Sequence, residues 1–173
     1  MDEFTGLTEA ITQQYPVLGQ HRFVLQRGTG SHSLEFFPAW GRDNPNPGEH
    51  TIEVREPSLK GQRLQEAVTG DMLHLLGAVD PRSGVAIDPT FLRLKRQFAA
   101  TITPDQKALD LAAYRRDHEG RSFEDFMDRS RLDAYLRGYI VNQWPREFYT
   151  SQQRSLLETI RQYLQGPPET AAR

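Results

Sequence analysis

The sequence contains no cysteine among its 173 residues. Disulfide scaffolds, thiolate zinc sites, iron–sulfur clusters and cysteine nucleophiles are therefore excluded. It also has no run of about 18 apolar residues, so no transmembrane helix and no membrane partner are predicted. The N-terminus, Met1-Asp2-Glu3-Phe4, begins with two acidic residues after the methionine and carries no long apolar run. We therefore expect no secretory signal, and a cytoplasmic location.

Lysine is scarce, since only Lys60, Lys95 and Lys107 occur and arginine supplies the other positive charges. Either a GC-rich coding sequence or selection for bidentate recognition of carboxylate and phosphate would explain the arginine content. The formal net charge of -2 disfavours nucleic acid as a partner. The 37% of hydrophobic residues suffices for a folded chain, and we expect one globular domain over residues 1–166 with a frayed tail over 167–173.

Three short extended segments precede the helical part of the chain, over residues 22–27, 33–37 and 51–56. Gly28-Thr29-Gly30 is turn chemistry, and it predicts that the first two segments form a hairpin. The stretch from 40 to 48 contains two Asn-Pro pairs, which disfavour regular structure. We expect it to be the most mobile internal loop.

Helical spacing dominates the chain after these segments, and a capping residue marks five predicted helix starts. They are Ser58, Asp88, Thr103, Ser122 and Thr150, the last in a capping box with Gln153. The helix after Ser58 is expected to end near Leu76, and the helix after Ser122 at Ile140. Strands followed by helices predict an α+β fold, with a small antiparallel sheet of about three strands near the N-terminus and about five helices.

One of these helices contains the stretch Gly70-Asp71-Met72-Leu73-His74. A glycine inside a helix costs about 1 kcal/mol relative to alanine, so Gly70 indicates the close approach of a backbone or ligand. The stretch resembles the zinc-binding helix of the zincins, His-Glu-x-x-His, in which two histidines bind zinc and the glutamate polarises the attacking water. His74 keeps the second histidine position, Asp71 shortens the acid, and Gly70 replaces the first histidine.

The resemblance implies a divergent metal-dependent hydrolase with zinc on His74 and with Glu66 and Asp71 as catalytic acids. A third ligand, His50 or His118, would have to be supplied by the fold. A structural explanation of His74 stays open, because an imidazole in the last turn of a helix is favoured by the helix dipole. A catalytic zinc needs three protein ligands and one is lost here, so we expect no metal and no catalytic residues.

A second segment, residues 121–139, alternates acidic and basic side chains at helical spacing. One interpretation is a solvated helix face with ion pairs, such as Asp133 and Arg137 four residues apart. The other is a contact face for a partner protein, because arginine, tyrosine and tryptophan are enriched at interface hot spots. The candidate binding residues are Arg129, Arg131, Tyr135, Arg137 and Trp144.

The stretches 70–76 and 131–139 together are similar to proteins encoded by tailed phages and prophages, over roughly residues 48–165. This resemblance implies a phage setting, in the host cytoplasm or the virion, and no particular chemistry. Complete nucleophile and phosphate-binding motifs are missing. The sequence therefore predicts a non-enzymatic protein-binding or assembly protein, with the zincin-like hydrolase as the alternative.

Overall fold

The chain begins with a helix and a small sheet, in a computed structural model that describes residues 3–117, 122–123 and 131–166. Helix α1 is followed by a 3-10 helix and three strands. Their bounds are α1 Thr5–Gln14, the 3-10 helix Pro16–Gln20, β1 Phe23–Arg27, β2 Leu34–Phe37 and β3 His50–Val54. The strand order is β1-β3-β2, so the last strand in sequence is the central one.

The sheet is mixed, and the predicted antiparallel hairpin between the first two strands is wrong. β1 pairs with β3 in parallel, with Leu25 opposite Ile52, and β2 pairs with β3 antiparallel. The glycine-rich turn carries information only about the residues next to it. The order of the strands is consistent instead with the burial of the central strand. β3 carries the fully buried Ile52 and Val54, and the central position covers both of its edges. Gly28 extends the parallel ladder, because its N–H donates to the Val54 carbonyl.

Five α-helices follow the sheet in the described part of the chain, which confirms the α+β order. They are α2 Gly61–Leu76, α3 Pro89–Ala99, α4 Pro104–Asp117, α5 Leu132–Ile140 and α6 Ser151–Gln165, with a 3-10 helix Arg146–Phe148 before α6. The helix predicted from Ser122 to Ile140 is described mainly in its last part, because residues 124–130 lie outside the described ranges.

Three of the predicted helix caps are confirmed. Asp88 accepts a hydrogen bond from the Phe91 N–H, and Thr103 and Thr150 each form a reciprocal capping box with a glutamine three residues later. The cap predicted at Ser58 is wrong. Helix α2 begins at Gly61 without a side-chain cap, because the Ser58 hydroxyl donates instead to the Glu56 carboxylate. That bond satisfies the hydroxyl locally, and the helix begins two residues later than predicted.

The buried side chains form one hydrophobic cluster that runs from Phe4 to Leu164. Helix α2 lies at its centre, in contact with β2 and β3 on one side and with α5 on the other. Helix α6 packs on α3 and on the first 3-10 helix. Residues 68–73 of α2 are buried, so polar side chains on this segment are forced into the interior between α2 and α5.

Asn44 makes several of the hydrogen bonds that hold the Asn-Pro loop in place. Asn44 is 6% exposed, and its amide donates to the carbonyls of Pro38 and Glu49. Its Oδ1 accepts from the backbone N–H of Asn46. The loop leads from β2 to β3 and presents Trp40 to the functional site described below.

Candidate functional site

A carboxylate on α5 joins two basic groups from two other helices. Asp133 accepts a hydrogen bond from Nζ of Lys95 at 2.5 Å and another from Nδ1 of His74. Lys95 is 7% exposed and Asp133 is 9% exposed. Lysine and aspartate are buried to this extent almost only when they are paired. These two hydrogen bonds therefore connect the end of α2 and the middle of α3 to α5.

The electrostatics of Asp133 follow from these two donors. Burial alone would raise the pKa of its carboxyl, but the hydrogen bond from His74 and the charge of Lys95 more than offset burial and lower the pKa below the ordinary value. Asp133 is thus a carboxylate at neutral pH. A carboxylate on Nδ1 fixes the tautomer and orientation of the His74 imidazole and leaves Nε2 as its second functional nitrogen.

The pKa of Asp71, one turn before His74, is shifted in the opposite direction to that of Asp133. The residue is 9% exposed, and burial raises the pKa of its carboxyl to about 6, with partial opposition from Arg137. The Arg137 Nη2 lies 3.8 Å from the Asp71 carboxylate, which is an ion pair too long for a good hydrogen bond. This loose pairing explains why burial outweighs the attraction.

Gly70 allows this approach, and the close neighbour is a side chain rather than the backbone or ligand that the glycine predicted. A Cβ at residue 70 would lie 2.3 Å from Nε of Arg137 and 2.8 Å from its Cζ. The guanidinium therefore occupies the space that any other side chain at this position would take. The close neighbour is a side chain of α5, and it brings a positive charge to Asp71.

A cavity of about 440 Å³ opens beside the Asp133 cluster. We call it the His74 cavity, and it is lined by Trp40, His74, Gly77, Ala78, Val79, Pro81 and Lys95. Phe36 packs on the His74 ring with 4.5 Å between the ring centroids. The cavity thus has an aromatic and aliphatic wall and two basic side chains. Both side chains are already hydrogen-bonded to the Asp133 carboxylate.

The residues of the predicted hydrolase site do not all lie at this cavity. Asp71 and His74 are neighbours in the α2–α5 interior, but Glu66 lines a different cavity with Tyr15 and accepts a hydrogen bond from Gln62. The Nδ1 of His50 accepts the Ala39 N–H. His50 is therefore engaged in holding the start of the Asn-Pro loop.

The described residues contain no group of three or more histidine, aspartate or glutamate side chains that could hold a metal ion. His118, the other candidate third ligand, lies outside the described ranges. Within the described chain, His74 has its Nδ1 committed to Asp133, so any ligand would have to use Nε2.

The candidate binding residues on α5 have internal partners. Arg131 and Tyr135 both donate to Asp110, a carboxylate with no exposed surface, and Tyr135 itself is 7% exposed. Trp144 covers Gly138, where an added Cβ would lie 2.3 Å from the indole ring. Arg129 lies outside the described ranges, and Arg137 has the Asp71 contact given above. That these residues bind a partner stays a prediction.

Sequence reasoning missed Lys95, Asp133 as the centre of the cluster, and the aromatic residues Phe36 and Trp40. A signal existed for the first two. Lys95 interrupts the apolar face of α3, four residues after Phe91 and three before Phe98, and both phenylalanines have no exposed surface. A charged residue on the buried face of an amphipathic helix implies a partner charge in the core.

Comparison of the chain with protein-family models, curated proteins and solved structures found no match. No helix among the described residues has the length and apolar character that crossing a membrane requires. The site is therefore interpreted from its own geometry.

Proposed function

We propose that this chain is a non-enzymatic protein-binding protein, and that its partner docks at the His74 cavity through a segment with an acidic and an apolar side chain. The observation that carries the proposal is the combination of exposed apolar surface and anchored basic groups in one place. The phage resemblance suggests a phage-encoded partner and a role in assembly.

Exposed apolar side chains lie at the cavity or next to its lining residues: Val79 lines it, Phe36 packs on His74, and Val85 follows in the same turn as Val79. Phe36 and Val79 are more than a third exposed, and Val85 is 62% exposed. Val79 belongs to a small bridge with Ala86, which holds the 79–86 turn beside the cavity. Large exposed apolar side chains grouped around a concavity are typical of a docking surface, whereas single ones are ordinary.

The ionisable side chains that line the cavity both belong to basic residues. Lys95 and His74 line it, while the Asp133 carboxylate that holds them is not among the lining residues. The partner side chain that fits is a glutamate or aspartate, since it can accept from basic groups that are already fixed in position. Fixing the donors before binding lowers the entropy cost of association.

A display selection with random peptides tests this proposal on the full chain. Wild-type protein should enrich peptides in which an acidic residue lies next to a leucine or an aromatic residue, and Trp40→Ala should abolish the enrichment. Leu109→Ala is the matched control, because Leu109 is an exposed apolar residue on α4, 74% exposed, and it does not line the cavity. Enrichment that persists in Trp40→Ala would overturn the assignment of the site.

A second candidate function rests on the bond between His74 and Asp133. An imidazole oriented by a carboxylate on Nδ1 can act through Nε2 as a general base, taking a proton from water as the water oxygen attacks a peptide or ester carbonyl. Lys95 would stabilise the negative charge that develops on that carbonyl oxygen. In the zinc-dependent form of this candidate, Nε2 would instead bind the metal.

Measurements of activity and metal content distinguish the two candidate functions. Turnover of a generic peptide or ester that is abolished by His74→Ala would favour the hydrolase and would contradict the non-enzymatic proposal. Mass-spectrometric metal analysis of untagged protein then distinguishes its two forms. Near-stoichiometric zinc that is lost in His74→Ala would identify a metallohydrolase.

A further inference from the structure

We infer that a second, separate site on this protein binds a short segment of single-stranded nucleic acid. The site is an open groove of about 820 Å³ along one side of α6. We call it the arginine groove, and the residues that matter are Trp144, Arg146, Ser151, Arg154, Ser155 and Arg161. None of these residues lines the His74 cavity.

An unusual turn builds one wall of the groove. Gln143 adopts a left-handed backbone conformation with φ of 51°, which non-glycine residues seldom adopt. The turn brings the Trp144 N–H to the Gly138 carbonyl at 2.7 Å and lays the indole on Gly138. One face of the ring is thus held by α5, while Trp144 also lines the groove. A fixed aromatic ring of this kind is a stacking platform for a base.

The other wall is positively charged. Three arginines and one glutamate, Glu158, line the groove, so its local charge is positive although the chain as a whole carries -2. The Arg154 guanidinium is held by the carbonyls of Arg146 and Tyr149, which sets its position without neutralising its charge. Fixed arginines are suited to the planar, bidentate recognition of phosphate.

One further feature favours an anionic ligand. Ser151 lines the groove at the start of the 15-residue helix α6, where the Thr150 cap satisfies the Gln153 N–H and the first two backbone N–H groups have no partner within the helix. Phosphate oxygens are suitable acceptors for such donors.

The length of the groove favours a strand over a single phosphate. Ser151 and Arg161 are ten residues apart on one helix, which corresponds to about 15 Å at 1.5 Å per residue. Donors at both ends of that distance can contact more than one phosphate of the same ligand. The adjacent indole adds a base contact, which a free inorganic anion cannot use.

Fluorescence anisotropy of the full chain with a labelled oligo-dT of about eight nucleotides tests the inference. We expect binding that weakens between about 50 mM and about 200 mM salt, with Arg146→Gln and Arg161→Gln each reducing affinity several-fold and lowering the log–log salt slope by about 0.7. Arg93→Gln, an exposed arginine on α3 outside the groove, is the matched control and should bind as wild type does.

The fluorescence of Trp144 in a Trp40→Phe protein gives a second readout, because the chain has two tryptophans. Oligonucleotide should quench this emission. Absence of binding at the lower salt concentration, equal weakening by Arg93→Gln, or a mononucleotide that binds as tightly as the oligonucleotide would each overturn the inference. The arginine variants do not touch the residues that line the His74 cavity, so failure here leaves the proposed peptide site standing.

Discussion

Nζ of Lys95 lies 2.5 Å from Oδ1 of Asp133, and both residues are less than a tenth exposed. Two opposite charges at this depth stabilise each other, but neither is tolerated alone because each would remain desolvated without compensation. With His74 on the second oxygen of Asp133, the pair makes one carboxylate the junction of three helices. The consequences of removing that carboxylate can be measured.

Asp133→Asn should destabilise the fold by about 3–5 kcal/mol, the range typical of breaking a buried ion pair by neutralising one partner. The Lys95 ammonium would stay buried without a counter-charge. Urea unfolding at neutral pH gives the free energy of unfolding for this comparison.

Asp43→Asn is the control, because Asp43 is exposed, and it should alter stability by less than about 0.5 kcal/mol. Replacing both charges, in Asp133→Leu with Lys95→Met, should recover part of the loss seen in the single variant. If Asp133→Asn were as stable as the control, the junction would not exist as described.

Stability should fall as pH rises from about 4 to about 6, because of Asp71. Burial raises the pKa of this carboxyl from 3.8 to about 6, so in this range the folded protein binds more protons than the unfolded chain. The difference corresponds to about 3 kcal/mol. Unfolding free energies measured by urea across this pH range give the slope.

Asp71→Asn should remove this decline and should be more stable than wild type at pH 7, since the amide resembles the neutral carboxyl. The lowered pKa of Asp133 has the opposite effect, because its stabilising contribution is lost as pH falls through the ordinary carboxyl range. Asp71→Asn retains this contribution, so the difference between the two pH profiles isolates Asp71. Profiles of wild type and Asp71→Asn that run parallel between pH 4 and 6 would contradict the burial of a titrating Asp71.

Gly138→Ala should destabilise the protein by about 1–3 kcal/mol through overpacking, because the new Cβ would lie 2.3 Å from the Trp144 ring. The indole must move, so the Trp144 emission in a Trp40→Phe background should shift to longer wavelength. Gly6→Ala in α1 is the control. It has open space for a Cβ and should stabilise the helix by up to about 1 kcal/mol. Equal effects at the two glycines would refute the contact.

Thr150→Ala should reduce stability by about 1 kcal/mol, because it removes the cap of α6. The Gln153 N–H would lose its acceptor, and Gln153 has no exposed surface. Thr159→Ala, an exposed threonine on the same helix, should change stability by less than about 0.5 kcal/mol when both are compared by thermal unfolding.

The helical part of the fold was predictable because its signals are local. The Asp-Pro start at Asp88 and the capping box at Thr150 need only residues within one turn, and both formed as predicted. Strand pairing is not local. The turn residues at 28–30 predicted a hairpin, but the burial of Ile52 and Val54 determines that β3 separates β1 from β2.

Only the residues of the candidate site that are close in the sequence could be predicted, again because sequence signals are local. Asp71 and His74 are neighbours on one helix, so their spacing was visible in the sequence. Asp133 is 59 residues from His74 and 38 from Lys95, and only the packing of α2, α3 and α5 brings the three together. Asp133 and Arg137 were interpreted as a surface pair, whereas each instead contacts a residue of α2.

Docking of a partner segment at the His74 cavity is tested most directly by the two tryptophan indole N–H signals in a ¹H–¹⁵N spectrum. A peptide enriched in the display selection is titrated into the full chain, and Trp144→Phe assigns the two signals. We expect the Trp40 signal to shift with peptide concentration while the Trp144 signal stays in place. A Trp40 signal that does not move while the peptide binds would contradict it.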